Sequence, residues 1–373
     1  MDAVNLHGSN QKAAAALGLS RRTVDQGIQA ARAAAARAGY APECDMVRTV
    51  PDGFRLRGVS TYYNKEGKPS GQWVKSAVDH DRQQELMRAA FEAMAEELPR
   101  VATKPIVTSD YLPALMAVYP IGDAHIGMLA DPRETQGPAW DLDIAERVQC
   151  GAMAALVELA PAAERAVIIN LGDWYHADNL EGRTARSGHH LSMDGNYASM
   201  IRVGMKVMRQ CIESALAKHR IVRVINVIGN HDDTGAMWLS VALKHMYANE
   251  PRVEIDDSPA AFMYFQHGKV LVGCHHGHSC KADALPGVMA ADRAKEWGET
   301  KHRYWYIGHV HHQSVKEYAG VSVESFNTLA SRDAWASAGG YRSRQNMKCI
   351  VLHSEHGEVC RHTVSPEMLR DAA

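Results

Sequence analysis

From residue 114 onward, short apolar runs recur at 116–119, 166–171, 221–228, 270–274 and 304–307. Helical stretches separate them, notably 143–159, 197–219 and 237–248. Continuous apolar runs alternating with helices predict strands buried on both faces of an α/β fold. Ahead of residue 114 the pattern differs. Residues 10–40 read as two helices broken at Gly18-Leu19-Ser20; the first is short and alanine-rich, and the second opens with Arg21-Arg22-Thr23-Val24. Ser20 is placed to cap that second helix, its hydroxyl accepting from an orphan N–H of the first turn. Residues 53–78 alternate as strands do, with a turn from Asn64 to Pro69, which predicts a β-hairpin carrying Arg and Lys on one side. Trp73 in that hairpin is either its core or a ring for stacking on a base. An amphipathic helix over 79–98 and a linker over 100–113 complete the front end. The expected organisation is therefore an N-terminal helix pair plus hairpin over 1–78, a helix and linker over 79–113, and an α/β domain over 114–373.

Composition adds boundaries to this picture. A chain of 373 residues, 46% hydrophobic and 23% charged, has ample material for a core. No stretch approaches the roughly 18 apolar residues that a membrane helix needs, and no secretory signal is visible. The seven cysteines are scattered, without CxxC pairs, which favours reduced thiols in a cytoplasm over a disulfide framework. The net charge of −2 averages two unlike parts: residues 1–75 carry eleven Lys/Arg against six Asp/Glu, so the front end is basic and the remainder acidic. A basic front on an acidic body suits an anionic polymer as partner and a body whose carboxylates hold metal.

Each apolar run ends in residue types that bind metal: Gly122-Asp123-Ala124-His125, Gly172-Asp173-Trp174-Tyr175-His176, Gly229-Asn230-His231-Asp232, His275-His276-Gly277-His278 and Gly308-His309-Val310-His311. The ligand types thus converge on the C-terminal edge of the strands, where open α/β sheets place their sites. Two divalent ions roughly 3.5–4 Å apart clamp a phosphate and activate a bridging water as hydroxide near neutral pH. Such a site needs a carboxylate spanning both ions, mixed imidazole and oxygen ligands, and an open face. Asp123 and His125, two apart, are expected on one side of an extended segment.

In the order D-x-H, GD, GNHD, H, GHxH, these segments resemble the calcineurin-like metallophosphoesterase superfamily from about Met116 to Val364. The resemblance implies an αββα fold, two mixed sheets sandwiched between helices. It also implies Asp173 as the bridging carboxylate, with Asp123, His125 and His311 completing one metal and Asn230, His276 and His309 the other. His231 is then the catalytic histidine, protonating the leaving oxygen, with Asp232 orienting it. In the HHGH segment the family ligand is the His before Gly, hence His276; that leaves His278 for substrate and His275 for the strand end. His176, three after Asp173, matches the GD-x-x-H form of SbcD-type DNA repair nucleases, which implies an approach to a nucleic-acid phosphate; a hydrogen bond to a ligand is the alternative. The resemblance points to Mn²⁺, while a donor set of this kind also accepts Fe²⁺, Zn²⁺ or Ni²⁺.

Between Asp178 and Tyr197 lies a polar insert in which Arg183 and Arg186 are candidates for phosphate binding, with solvated surface charge as the alternative. Residues 331–335 and 341–344 invite the same two readings. The N-terminal helix pair is similar to helix-turn-helix segments, in which Arg21, Arg22 and Thr23 would face DNA; an alanine-rich hairpin that packs or dimerises is the other reading. The combination suits a phage or prophage protein working in the host cytoplasm. The expected activity is a metal-dependent phosphodiesterase on nucleic acid: a DNA endonuclease, exonuclease or nickase. A phosphatase or phosphodiesterase for nucleotides, cyclic nucleotides or phosphoproteins, and a non-enzymatic DNA-binding regulator, are the rivals. No membrane and no ATPase partner is expected, and a homodimer is compatible with reading palindromic half-sites.

Overall fold

The computed structural model describes residues 6–37, 40–41, 46–47, 54–63, 65, 69–78, 101, 110–184 and 188–370. The helix expected over 79–98, most of the linker and Arg186 lie outside the described residues. The chain divides into two compact units, Met1–Ala93 and Met94–Ala373.

In the first unit, α1 (Asn10–Leu17) ends at Gly18, whose φ of +67° is the left-handed conformation of a helix C-cap. The chain then turns into α2 (Arg21–Arg37), and Ser20 Oγ accepts from the Thr23 N–H at 3.1 Å. Buried Ala13, Ala14 and Val24 lie in these helices, and Asn10 Nδ2 donates to Asp25 Oδ1 across them at 2.6 Å. Strands β1 (Tyr40–Ala41) and β2 (Met46–Val47) pair antiparallel. Strands β3 (Phe54–Tyr63) and β4 (Pro69–Val78) form the hairpin, with Ser60 opposite Trp73. Trp73 is 68% exposed, so its ring is not hairpin core.

The second unit holds two sheets. The six-stranded sheet has the order β15 (Gly357–Val364), β14 (Met347–His353), β5 (Leu112–Ile121), β6 (Ala163–Asn170), β7 (Ile221–Asn226), β8 (Val253–Asp256). From β5 to β8 it is parallel, whereas β14 and β15 join antiparallel. The five-stranded sheet has the order β12 (Ser314–Tyr318), β13 (Val321–Ser325), β11 (His302–Ile307), β10 (Val270–His275), β9 (Met263–His267), with β10, β11 and β13 parallel.

Side-chain alternation explains why the central strands read as unbroken apolar runs. Met116, Val118, Val167 and Ile169 meet Phe265, Val272, Cys274 and Tyr306 between the sheets. Their neighbours Ala117, Tyr119, Ala166 and Ile168 face a helical layer made of α3 (Leu142–Leu159), α4 (Tyr197–Leu216) and α5 (Gly235–Met246). On the far side, Leu271, Trp305, Val321 and Val323 are covered by Leu285 and Met289 of α6 (Leu285–Asp292). Both sheets are mixed and both are covered by helix, so the layers run helix, sheet, sheet, helix. No helix among the described residues is long and apolar enough to cross a membrane.

Candidate metal centre

Parallel strands β5, β6, β7, β10 and β11 all end at the same edge, and each releases its ligand-bearing segment there. Those segments leave in unusual backbone conformations. Among the described residues, the non-glycine positions at positive φ are Asp123, His125, Gln136, Asp173, His309 and His311. Five of these six are expected ligands. Left-handed backbone costs a non-glycine residue on the order of 1–3 kcal/mol and persists where surrounding contacts enforce it. Asp123 and His125 therefore reach one centre through a tight turn, not along the extended segment expected from their spacing.

The enforcing contacts come from the neighbouring segments. The His125 N–H donates to the Asp173 carbonyl at 2.9 Å, Ile126 to Trp174 at 2.8 Å, and His176 back to Ile126 at 2.9 Å. The His309 N–H donates to both Asp123 carboxylate oxygens, at 2.8 and 3.0 Å, while Thr328 Oγ1 donates to the Asp123 carbonyl at 2.7 Å. Gly229 is indispensable to this packing, because a Cβ there would collide with the Asp173 carboxylate and backbone.

The donor atoms gather into three adjoining groups, Asp123 with His125 and His311, Asp173 with His276 and His309, and His125 with His176 and His231; within each group they lie inside 4.8 Å of one another, and the first two each include a carboxylate. In the first, His125 Nε2 is 3.1 Å from His311 Nε2, which is 3.4 Å from Asp123 Oδ1. In the second, His276 Nε2 is 3.2 Å from Asp173 Oδ2 and 3.1 Å from Asn230 Oδ1, which brings Asn230 to the same group. His276 Nδ1 donates to the Leu171 carbonyl at 2.7 Å, so that nitrogen holds the proton and Nε2 is the one that could coordinate a metal.

Electrostatics at the cluster follow from burial and crowding. Burial, with the positive potential of His231 and His311, holds His125 well below the usual imidazole range. Burial and His231 push His176 down to about 3. Burial alone would lower His276, but the Asp173 carboxylate beside it holds it up at about 9. Burial would raise Asp173, and the surrounding imidazoles of His276, His125 and His231 hold it well below the usual carboxylate range. Burial thus holds His125, His176 and His309 below the usual imidazole range, while against burial the carboxylates hold His276 and His311 up. Ring nitrogens crowded around two carboxylates fit divalent cations, which would supply the charge that the lone pairs face and take the place of a proton at His276.

His231 and Asp232 are arranged differently from the expectation. The His231 ring is held by Nδ1, which donates to the His176 carbonyl at 2.9 Å. The Asp232 carboxylate is buried and accepts instead from four backbone N–H groups: Asp173 and Gly229 at 3.1 Å on Oδ1, Trp174 at 2.8 Å and Tyr175 at 3.2 Å on Oδ2. Burial and the Asp173 charge push Asp232 up, yet all four of these partners are donors, which is the geometry of an ionised carboxylate. Asp232 thus ties the GDWYH turn to the GNHD turn, and the orienting group of His231 is a carbonyl.

Other expected residues fall in various places. His176 is buried, its ring stacked on His231 at 5.5 Å between centroids and its Nδ1 3.2 Å from His125 Nδ1. The His278 ring stacks on His275 with centroids 6.0 Å apart and lies tilted against His276 at 5.2 Å. His275 is structural: it accepts from the Gly277 N–H at 2.9 Å and contacts Ser279 Oγ at 3.1 Å. Arg183 bonds within its own loop, to the Gly188 carbonyl at 3.0 Å and His190 Nε2 at 2.6 Å, so its terminal nitrogens serve loop shape. In the other unit, exposed Arg21 pairs with Asp25 at 3.7 Å and Thr23 Oγ1 with Ser20 Oγ at 2.7 Å. Sequence reasoning missed Asp178, whose carboxylate accepts from the Thr234 and Gly235 N–H groups at 2.7 and 2.9 Å. It caps α5 from 56 residues away, and no local pattern could have marked it.

No family model matches the chain, and no curated protein matches its sequence. Solved structures similar to it include the phosphoesterase YfcE from E. coli, 16% identical over 66% of this chain and 98% of that one, TM-score 0.34. A predicted phosphoesterase from Streptococcus pneumoniae TIGR4 is 12% identical over 68% and 99%, TM-score 0.27. Zinc-complexed Vps29 from Entamoeba histolytica is 12% identical over 67% and 99%, TM-score 0.27. At such identities and TM-scores these likenesses carry no argument about activity; the chain's own geometry has to.

Proposed function

We propose that this protein is a dinuclear metal-dependent phosphodiesterase that hydrolyses phosphodiester bonds of nucleic acid. The observation that carries the reading is the pair of adjoining ligand groups at one strand edge. Asp123, His125 and His311 would hold one ion, His276, His309 and Asn230 the other, with Asp173 between them. Two divalent ions bound there supply a Lewis-acid clamp for the phosphate and an activated water. The protein's own part is positioning and proton handling. His231, fixed through Nδ1 by the His176 carbonyl, presents Nε2 as the atom that gives a proton to the leaving oxygen. His176 Nε2 is buried and has no hydrogen-bond partner among the described residues. A buried polar nitrogen without a partner is costly, and a phosphate oxygen would satisfy it. That supports a phosphate ester substrate, and the exposed Arg21 and Arg22 at the start of α2 support DNA as the polymer that carries it.

The decisive experiment is a Mn²⁺-dependent cleavage assay on supercoiled plasmid, linear duplex and single-stranded DNA, with Asp173→Ala and bis-p-nitrophenyl phosphate alongside. DNA cleavage lost in Asp173→Ala establishes the nuclease, and the products separate nicking from end resection. Hydrolysis of the small diester without DNA cleavage moves the substrate to nucleotides.

A further inference from the structure

Between β13 and β14 the chain makes an excursion, residues 331–344, that the metal site does not use. Its base is held beside the metal centre. The Asn346 N–H donates to the Thr328 carbonyl at 3.3 Å, Gln345 Nε2 to the Leu329 carbonyl at 2.8 Å, and Thr328 in turn donates to the backbone of Asp123. The excursion is pinned further out by Ser331 Oγ on the Pro138 carbonyl at 2.7 Å and by Ser337 Oγ on the Thr135 carbonyl at 2.8 Å. Along it stand two large rings in water. Trp335 is 72% exposed and Tyr341 54%, and the rings stack on each other with centroids 5.7 Å apart and planes 19° apart. Gly339 permits this, since a Cβ there would lie 2.7 Å from the Tyr341 ring.

Stacked exposed aromatics are an unusual use of apolar surface, and the charge along the excursion itself is mainly basic. Arg344 and Arg342 are exposed, Arg342 spending Nη1 on the Ser337 and Tyr341 carbonyls at 3.1 and 2.9 Å and keeping its other terminal nitrogen for a ligand. Asp333 is the lone carboxylate from 331 to 344 and is engaged as a helix cap, accepting from the Ala336 N–H at 2.8 Å. Flat π-faces flanked by guanidinium groups recognise an unpaired nucleobase together with its phosphates. We infer that the Trp335–Tyr341 pair is a base-stacking platform that holds an unstacked nucleobase of a strand whose backbone passes the metal centre. This rests on the nucleic-acid reading above and deepens it: the enzyme would grip single-stranded or locally unpaired nucleic acid next to the bond it cuts.

The test measures binding of the full-length protein in EDTA, by fluorescence anisotropy, to an oligothymidylate of about eight nucleotides and to its abasic counterpart of equal charge. Trp335→Ala/Tyr341→Ala should weaken binding of the oligothymidylate by about 10-fold and leave the abasic strand unaffected; Trp335→Phe/Tyr341→Phe should restore most of the affinity. Oligothymidylate affinity unchanged by the alanine pair would overturn the inference and reassign the rings to a protein contact, and equal weakening on both strands would overturn it too. A wild-type protein that cleaves DNA but shows no effect of the alanine pair sinks the platform alone. One that hydrolyses bis-p-nitrophenyl phosphate yet neither binds nor cleaves nucleic acid removes the substrate class, and the platform with it.

Discussion

Asp232 offers the sharpest separation between two readings of one residue. If its carboxylate serves as the tie between two turns, Asp232→Asn acts on stability and metal affinity; if it orients His231, the change acts on turnover alone. In the structure each carboxylate oxygen accepts two backbone N–H groups. The asparagine amide keeps one oxygen and turns an NH₂ group toward the other two donors. Leaving a buried donor unsatisfied costs roughly 1–3 kcal/mol, so two should cost about 2–6 kcal/mol. In a domain of this size each kcal/mol moves the melting temperature by roughly 2–4 °C, so the transition of the metal-free protein should fall by about 10 °C. Circular dichroism in EDTA reads that shift, and calorimetric Mn²⁺ titration should show weaker binding because Asp173 and Asn230 lie on the two turns that Asp232 joins. A variant with wild-type melting temperature and metal affinity but depressed turnover would refute the reasoning and restore the orienting role.

Asp173→Ala should abolish hydrolysis and lower the metal content measured by elemental analysis; full metal content with normal activity would remove Asp173 from the centre. His231→Ala should retain its metals and lose about 10²–10⁴-fold in turnover on DNA, whose sugar alkoxide needs the proton of a general acid, and much less on bis-p-nitrophenyl phosphate, whose nitrophenolate leaves unaided. Arg21→Ala/Arg22→Ala should weaken duplex binding and reduce the slope of log K against log salt by about two phosphate contacts, whereas an unchanged slope would end the DNA-contact role of α2. His219 gives a pH prediction away from the metals: burial lowers it to about 4, with Nδ1 on the Ala163 carbonyl at 2.9 Å and Nε2 on Tyr119 Oη at 2.8 Å. The unfolded chain protonates this residue near its ordinary value of about 6.5 and the folded protein near 4, so the associated stability is complete above 6.5 and is lost as pH falls to 4. His219→Gln should flatten that acid-side loss by up to about 3 kcal/mol in urea titrations, and an identical pH profile would contradict it.

Much of the fold was legible because the central strands are buried on both sides. Met116 to Tyr119 faces a sheet with alternate residues and a helical layer with the rest, so no polar position interrupts the run and the strand shows in one dimension. Strands β12 and β15 carry exposed residues at several positions, and β9 and β14 join only through antiparallel partners. The runs of β12 and β15 are mixed and gave no clear strand signal, whereas β14, with its apolar buried run Cys349–Leu352, was overlooked although its pattern is the same as that of the central strands. Ligand types were legible for a related reason: each sits within a few residues of a strand end, where the chain must leave the sheet.

The sequence by itself determined which residue types arrive at the edge and in what order, since strand length, glycine placement and ligand chemistry are local properties. How they are shared is not a local property: the family resemblance implied it, and the tertiary structure supplies the physical reason. His309 and His311 are two apart yet join different groups, because both lie at positive φ and strand alternation no longer governs where they aim. The tautomer of His276 depends on the Leu171 carbonyl, 105 residues away, and the four donors held by Asp232 come from two separate turns. Such bonds form only once the sheet has aligned its parallel strand ends. No spacing within any one segment encodes them.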